Sequence, residues 1–404
     1  MQNPLLSSCD RQLTLKSDEC IALCVTSLQS SLDLSLHPSC SYSAETVYHS
    51  LLGMSSRCAS IHSLPSLLAN VPSETTIRRY LKKLSMTELV RKNTAILTHH
   101  TKDLLVPGQS YEFAIDITND PYYGEIDETN QINVISGQTK KSTHTFYAYI
   151  SLYIITKNTR LTLAVYPVQK GVSQLDYVKQ CVQTIHDLGI GIIVLCLDRG
   201  FYSIALFSFL QQEEIPYIVP VKKQGNDLKM LLQGRKYRWE TYEMHNAEQS
   251  LEVDILIDVK YIKGRKVRGM KKSHGCQNLG YIVYGVKNWK PRKISNTYKR
   301  RFAIESSYRM RNQVKCRTSS KNATLRYFYM IIALMLKNIW VVLQARYFAQ
   351  QRRGPRVIEE KRFRFQMFMG FIWAEVVSIF KPVLEVKVIR IWRRKWKGVA
   401  KYCM

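Results

Sequence analysis

The stretch Ile192-Ile193-Val194-Leu195-Cys196-Leu197-Asp198-Arg199-Gly200-Phe201-Tyr202 is an apolar run that ends in an acid and a glycine-containing turn. An apolar run of this length, closed by turn residues, predicts a buried β-strand. Asp198 then stands at the C-terminal edge of the sheet, where open sheets collect ligands. Taken alone, Asp198 is a moderate indication of a site, because acids at such a place also cap the next helix.

The segments around this strand continue the pattern. They predict three strands, then helix, strand, helix and strand, over residues 111–118, 145–155, 160–167, 173–188, 190–197, 202–212 and 215–221. This is the element order of a ribonuclease-H-like core, in which helices flank a mixed five-stranded sheet. The expected fold class is therefore α/β.

The core accounts for only part of the 404 residues. After residue 221 the chain turns β-rich again, with strands expected over 237–244, 251–262 and 280–286, before a helix over 298–312 completes the core. The expected regions are an all-α DNA-binding region (1–105), the first part of the core (106–221), a β-rich insertion (222–290), the completion of the core (291–350) and a basic, helical C-terminal region (351–404).

Asp116 is a charge inside the otherwise apolar strand Phe113-Ala114-Ile115-Asp116-Ile117-Thr118. A buried carboxylate is costly unless a metal or another cation compensates it, which favours a functional role over a purely structural one. Glu305 lies in the predicted helix over 298–312. Helical spacing places it on one face with Tyr298, Arg301, Tyr308, Arg309 and Asn312. The alternative for Glu305 is a surface helix in which Arg301 and Arg309 form ion pairs with it.

Three ordered motifs coincide in this chain: the strand of Asp116 with Asn119-Asp120-Pro121-Tyr122-Tyr123-Gly124, the stretch 198–202, and Tyr298-x2-Arg301-x3-Glu305. Together they resemble the DDE transposases of prokaryotic insertion sequences, over about residues 111–320. More narrowly, they resemble the IS-four and ISH-three-like branch, which has a β-rich insertion before its Glu and a Tyr-Arg-Glu-Lys signature. The signature's Lys is replaced here by Asn312. Lys315 is close, but on an ideal helix it points about 80° away from Glu305.

The resemblance implies a metal-dependent, cut-and-paste transposase. Asp116, Asp198 and Glu305 would hold two Mg²⁺ ions roughly 3.5–4 Å apart, with Mn²⁺ as a substitute. The enzyme would cut a strand at each end of its element, and the freed 3′-hydroxyl would attack target DNA. The nearby acids that would replace a misassigned Asp116 are Asp120, Glu125 and Asp127.

Double-stranded DNA is the implied partner, both as terminal inverted repeats and as target, and a homodimer would pair the two ends. The residues expected to contact DNA are Arg199, Tyr298, Arg301, Tyr308, Arg309, Asn312 and Lys315. In some relatives an aromatic residue of the insertion stacks on a displaced base during hairpin formation. Trp239 is the candidate here, and a tryptophan packed in the sheet is the alternative.

The charge balance agrees with a nucleic-acid partner. The chain has 59 Lys and Arg against 31 Asp and Glu, a net charge of +28. An enzyme of small metabolites has no physical need for such an excess, whereas a polyanion is attracted by it. Within 72–84, apolar residues at helical spacing leave four cations on the solvent side, a layout suited to a DNA groove: Arg78, Arg79, Lys82 and Lys83. An ordinary solvated basic face is the alternative.

The remaining features indicate a cytoplasmic protein, associated with the nucleoid when bound to DNA. The ten cysteines show neither zinc-knuckle spacing nor a disulfide framework, and the N-terminal residues lack the pattern of a signal peptide. Two apolar stretches, 327–345 and 363–380, contain charged or amide side chains that are costly in hydrocarbon. We therefore expect buried core helices there and no membrane contact.

Three other functions remain open at this point. The first is a ribonuclease-H-like nuclease that cuts without joining. The second is a non-catalytic or domesticated DNA-binding protein, which the complete acidic triad disfavours and Asn312 mildly favours. A basic protein at a membrane surface is the third and least supported.

Overall fold

The computed structural model describes residues 14–34, 40–262, 275–350 and 357–385. The predicted basic stretch 390–401 lies outside the described residues, as do residues 1–13. The described N-terminal part is helical, with helices α1 (Ser17–Gln29), α2 (Ala44–Ser56), α3 (Glu74–Leu81) and α4 (Met86–Thr98). Helix α3 begins as the sequence predicts, because the Ser73 side chain accepts a hydrogen bond from the Thr76 backbone N–H.

The next six strands are β1 (Ser110–Pro121), β2 (Val134–Lys140), β3 (Thr143–Ile154), β4 (Thr162–Pro167), β5 (Gly191–Leu197) and β6 (Tyr217–Pro220). Strand β1 lies between β3, which is antiparallel to it, and β5, which is parallel to it. Strand β4 pairs with β3 and β6 pairs with β5, so the order is β4-β3-β1-β5-β6. The predicted α/β fold with a ribonuclease-H-like core is confirmed.

Strand β2 is absent from the sequence-based prediction. It pairs with the start of β3 across a tight turn whose two central residues, Lys141 and Ser142, have φ angles of 50° and 61°. All its residues after Ile135 are exposed. A strand without a buried face has no apolar alternation, so the pattern by which strands are recognised is missing.

The predicted insertion extends the central sheet. It comprises helix α7 (Asn226–Leu231), which follows α5 (Gln174–Asp187) and α6 (Ile204–Gln212) in the chain, and strands β7 (Arg238–His245), β8 (Ser250–Ile262) and β9 (Gly275–Tyr284). Strand β9 pairs antiparallel with β6, which joins β1 to β9 into one sheet. The three predicted insertion strands are therefore present, as a continuation of the core.

The two faces of the sheet are covered differently. Helices α5 and α6 pack on one face around Val178, Cys181 and Phe207. On the other face, helices α8 (Pro291–Arg300) and α9 (Ala303–Asn312) cover an apolar cluster that includes Ala114 of β1. Because successive side chains of a strand point to opposite faces, Asp116 points to the same side as Ala114, toward α8 and α9.

The two C-terminal apolar stretches form helices α10 (Ala323–Tyr347) and α11 (Phe365–Phe380). Helix α10 is long and apolar enough to span a membrane, but 94% of its most apolar window is buried inside the fold. It packs against α1, α2, α4, α9 and α11. It is a buried core helix, as expected from the sequence, and it lies at the centre of an α-helical layer.

Polar side chains of this layer close the outer edge of β4. Asn338 of α10 accepts from the Thr162 N–H at 3.0 Å and donates to the Thr162 carbonyl at 2.7 Å and to the Leu97 carbonyl at 2.9 Å. Asn93 of α4 accepts from the Val165 N–H at 2.9 Å. An open strand edge would leave buried backbone groups without partners. These hydrogen bonds explain why Asn338 and Asn93 occur at buried positions of α10 and α4.

Replacing Asn338 by Ala is expected to lower the free energy of unfolding by about 2–4 kcal/mol, because it leaves buried backbone groups of Thr162 and Leu97 unpaired. Equilibrium urea unfolding, followed by circular dichroism, measures the change. Asn296 of α8 is exposed, and Asn296→Ala should stay within about 0.5 kcal/mol of the parent. Equal effects of the two substitutions would contradict the proposed role of Asn338.

Candidate active site

Asp116 and Asp198 come from neighbouring parallel strands. Asp116 is in the middle of β1, where its Oδ1 accepts a hydrogen bond of 2.9 Å from the Ile117 N–H. Asp198 directly follows β5, before a short helical turn at residues 199–201. The ladder pairs Ala114 with Cys196 and Ile115 with Leu197. The two acids therefore lie next to each other at one end of the sheet, as the sequence predicts.

The predicted single helix over 298–312 is wrong in one respect, because the chain bends at Arg301 and Phe302 between α8 and α9. At the bend, the Arg301 N–H donates to Tyr298 and the Ile304 N–H to Arg301, both with the three-residue spacing of a tightened turn. The predicted common face is consequently split. Tyr298 and Tyr308 are buried in the apolar cluster, whereas Arg309 and Asn312 are exposed.

The bend directs Arg301 into the middle of the three acids. Its Nη1 atom lies 3.3 Å from Asp116 Oδ2. Its Nη2 atom lies 3.5 Å from Asp198 Oδ1 and 3.5 Å from Glu305 Oε1. The Asp198 and Glu305 oxygens are thus no farther apart than twice that distance. The side chain of Arg301 is only 6% exposed, against 14% for Asp116, 44% for Asp198 and 50% for Glu305.

One guanidinium does not neutralise three carboxylates. Burial raises the pKa of Asp116 to about 6, Arg301 opposes the rise, and the charges of Asp198 and Glu305 add to it. Hard carboxylate oxygens with excess negative charge fit divalent cations such as Mg²⁺. In the described part of the chain, however, no three acidic, His or Cys side chains form a ready metal cluster. The three acids surround Arg301 instead.

Tyr308 links α9 to the strand of Asp116. Its hydroxyl donates a hydrogen bond of 3.2 Å to the Asp116 carbonyl, and its ring is buried. The predicted direct contact of Tyr308 with DNA therefore has less support than a role in placing Glu305. Tyr298 is likewise buried, with its ring 5.5 Å from the Arg301 guanidinium.

A cavity of about 410 Å³ lies beside Asp198, between the α8–α9 bend and the strands β6 and β9. The predicted Arg199 lines it and is exposed. Three further residues line the cavity that were not expected from the sequence: Lys223, Lys299 and Phe302. Phe302 is 48% exposed. A signal for Phe302 was its place next to Arg301 in the motif, but only the bend shows that its ring faces solvent.

Around Asn312, which replaces the signature's Lys, the end of the helix and the partners of Lys315 differ from those expected from the sequence. Helix α9 ends at Asn312, so the ideal-helix argument about Lys315 does not apply. Lys315 binds Asp120 at 2.8 Å, and Arg311 binds the same carboxylate at 2.8 Å. Although burial raises the pKa of Asp120, these two cations hold it below its ordinary value. Lys315 thus already has a buried partner.

The nearby acids do not compete with Asp116 for the site. Asp120 is held by Arg311 and Lys315, while Glu125 and Asp127 pair with Lys321 at 3.3 and 2.9 Å. Trp239 of β7 is partly buried and packs against the cluster beneath α8 and α9. This contact corresponds to the packed-tryptophan alternative of the sequence analysis.

Helix α3 has the predicted distribution of residues. Ile77, Tyr80 and Leu81 are buried, while Arg78, Arg79, Lys82 and Lys83 are exposed. Arg78 forms an ion pair of 2.6 Å with Glu74, and the Lys83 ammonium lies 5.9 Å from the centre of the Tyr80 ring. The helix thus presents a basic surface to solvent.

Replacing Asp116 by Asn should stabilise the protein at pH 7 in EDTA by about 1–3 kcal/mol. The pKa of about 6 exceeds the ordinary 3.8, so the folded state binds the extra proton and stability falls as the pH rises from about 4 to about 6. Asn removes this loss of stability, so the free energies of unfolding of the parent and the variant should become equal as the pH approaches about 4. Urea unfolding between pH 4 and pH 7 measures the difference.

Asp120→Asn is the matched control on the same strand and the same face. Its pKa is lowered in the folded state, so its charge contributes stability at pH 7 that is lost as the pH falls through the folded pKa. Asp120→Asn should therefore destabilise the protein at pH 7. If both substitutions destabilise at pH 7, the assignment of Asp116 as an uncompensated charge is wrong.

Comparison with known proteins agrees with this geometry. Residues 107–336, more than half of the chain, match the family described as the transposase DDE domain. A piggyBac transposase, solved by cryo-EM as a synaptic complex with hairpin DNA, aligns with a TM-score of 0.53 and 12% identity over 91% of this chain and 81% of that one. This likeness concerns the fold alone. No curated protein sequence matches the chain. By the match of its central 230 residues, the chain belongs to the DDE transposase family.

Proposed function

We propose that this DDE transposase mobilises a prokaryotic insertion sequence by cutting DNA at the element ends and joining the freed 3′-hydroxyl to target DNA. The supporting observation is the convergence of Asp116, Asp198 and Glu305 on one guanidinium. These acids are separated by 82 and 107 residues in the chain, yet each contacts Arg301. Such convergence of distant acids supports a site for metal-assisted phosphodiester chemistry.

DDE transposases use divalent metal ions. When bound, two such ions, Mg²⁺ or Mn²⁺, would supply activation of an attacking oxygen and charge relief for the leaving oxygen. In this chain, Asp116, Asp198 and Glu305 would hold them. The β1–β5 ladder fixes the two aspartates, while the Tyr308 hydroxyl and the Arg311–Asp120 ion pair hold α9 against β1. These contacts would hold the elements that carry the three acids in place before substrate binds.

The chain's own cations would position the DNA. Arg199, Lys223 and Lys299 line the cavity beside Asp198 and can bind backbone phosphates. Arg301 is close enough to all three acids to orient them and to share a phosphate bound there. The exposed ring of Phe302, 5.0 Å from the Arg301 guanidinium, offers an apolar contact for a base or sugar.

The basic surface of α3 would add contacts to duplex DNA, such as the terminal repeats of the element. Two ends must be processed together, and we propose that a homodimer supplies one set of acids to each end. We further propose that the protein acts in the cytoplasm of a prokaryotic cell. A nuclease without joining and a DNA-binding protein without catalysis remain the alternatives, and the following experiments separate them.

Asp198→Ala is expected to reduce cleavage by at least about a thousandfold, because one of the three acids is lost, while binding of the same DNA stays within about twofold. A duplex carrying the element's terminal repeat, read from the DNA beside the gene, serves in a gel assay with Mg²⁺. Asp187→Ala, an exposed acid of α5, is the control and should cleave normally. Full activity of the Asp198 variant would remove Asp198 from the site.

Strand transfer distinguishes a transposase from a simple nuclease. A duplex with a labelled, pre-cleaved 3′-hydroxyl end should become covalently joined to an unlabelled plasmid when protein and Mn²⁺ are present, because the same acids serve both steps. Sequencing of the joints then reports the target sites. Cleavage of an intact end without any joined product would favour the nuclease.

A further inference from the structure

A second cavity, of about 610 Å³, lies at the far end of α9 from Glu305. Its walls come from three separate parts of the chain: α2's C-terminal loop, the β1–β2 connection and the α9–α10 connection. The residues that matter for its chemistry are Cys58, Tyr123, Asn312, Lys315, Arg317 and Arg326. It includes Asn312, the position at which the signature Lys is missing.

The walls of this cavity are held in place by specific contacts. The Arg326 Nε–H donates to the Ser320 carbonyl at 2.6 Å, and the guanidinium lies 5.1 Å from the Tyr122 ring and 4.8 Å from the Tyr147 ring. The Arg317 N–H donates to the Ala59 carbonyl at 3.0 Å, which fixes the α9–α10 connection against the N-terminal helices. The cavity is therefore part of the packed structure.

Glycine at position 124 is a steric requirement of this wall. A Cβ there would lie 2.5 Å from the Tyr122 hydroxyl, which itself donates to the Glu125 carbonyl at 2.9 Å. Only a residue without a side chain lets the connection pass so close to the ring. The β1–β2 connection is thereby kept beside the cavity.

The cavity and its floor carry more positive than negative charge. Lys315, Arg317 and Arg326 line the cavity, and Lys315 shares the Asp120 carboxylate with Arg311. Burial lowers the pKa of Lys315; Asp120 opposes this, and Arg311 and Arg326 lower it further. Glu125 and Asp127, the next acids along the chain, are held by Lys321. An anion bound here would compensate the excess.

The distance to the acidic triad suggests which anion. Helix α9 places Asn312 seven residues after Glu305, about 10 Å along the axis at about 1.5 Å per residue. One DNA strand advances about 3.4 Å per nucleotide. Because this rise is measured along the duplex axis, and successive phosphates also wind around it, a strand that has its reacting phosphate at the triad and runs along α9 would bring a phosphate only about one or two nucleotides away to this cavity.

We propose that this cavity binds a backbone phosphate of the DNA held at the triad, with Arg317 and Arg326 as its ligands in place of a cation at position 312. The proposal rests on the proposed DNA transposase function. Arg326 is fixed by its contacts with two tyrosine rings, whereas Arg317 is exposed at the cavity wall. Arg317 is therefore the residue to replace without disturbing the fold.

The test is the salt dependence of binding to a 40-base-pair duplex of arbitrary sequence, with EDTA present so that no cleavage occurs. Each phosphate contact adds about one unit to the slope of log Kd against log salt. Arg317→Gln should lower that slope by about one unit and weaken binding about five- to tenfold at low salt. Lys157→Gln, an exposed cation in the β3–β4 turn, should leave both quantities unchanged.

A second measurement uses Cys58, a thiol in the cavity wall. Its alkylation by N-ethylmaleimide, followed by peptide mass spectrometry, should slow at least threefold when the duplex is bound to the parent protein, and less in Arg317→Gln. Cys276, an exposed thiol of β9, monitors the supply of reagent. An unchanged slope in Arg317→Gln, or an unchanged Cys58 rate with duplex bound, would overturn the proposal.

The outcomes separate this inference from the proposed function. If the parent protein binds and cleaves the terminal-repeat duplex but Arg317→Gln keeps the full salt slope, only the phosphate site is wrong. If the parent protein binds no duplex at all, both the phosphate site and the transposase function are wrong.

Discussion

The set of ion pairs around Arg301 is the constraint on which the rest of the site depends. Three carboxylates repel one another, and the guanidinium lets them lie close together. Its own position follows from the bend between α8 and α9 and from the neighbouring rings of Tyr298 and Phe302, which lie 5.5 and 5.0 Å from the guanidinium. Because Arg301 is almost fully buried, its charge is poorly hydrated and depends on these acids. The bend of the backbone and the ion pairs with the three acids therefore both hold Arg301 in place.

The parts of the fold that bury a regular apolar pattern were predictable. Strands β1 and β5 are apolar runs, so Asp116 and Asp198 were recognisable as acids at the points where such runs are interrupted or end. The same holds for α10, whose apolar length exceeded the needs of a surface helix. In each case one continuous apolar surface is buried, and the spacing of apolar residues in the sequence predicts that burial.

Features that depend on contacts between distant segments were not predictable in this way. No proline or glycine next to Arg301 predicts the bend, and strand β2 has almost no buried side chains. Asp116 and Asp120 look equivalent on one strand, yet Arg311 of α9 and Lys315, just beyond it, both pair with Asp120, whereas Asp116 has only a shared cation. The chemical difference between the two acids arises only when the helix packs on the sheet.

The continuity of the sheet across β6 and β9 has a mechanical consequence. Residues 217–220 pair with residues 281–284 in an unbroken ladder, and both strands border the cavity beside Asp198. To swing the inserted strands away from the acids, the protein would have to break backbone hydrogen bonds within a buried sheet. The inserted strands and the strands of Asp116 and Asp198 thus form one continuous sheet. On the proposed function, a DNA end would reach the acids without a swing of the inserted strands, so its own shape would contribute more to selection than closure of this part of the protein around it.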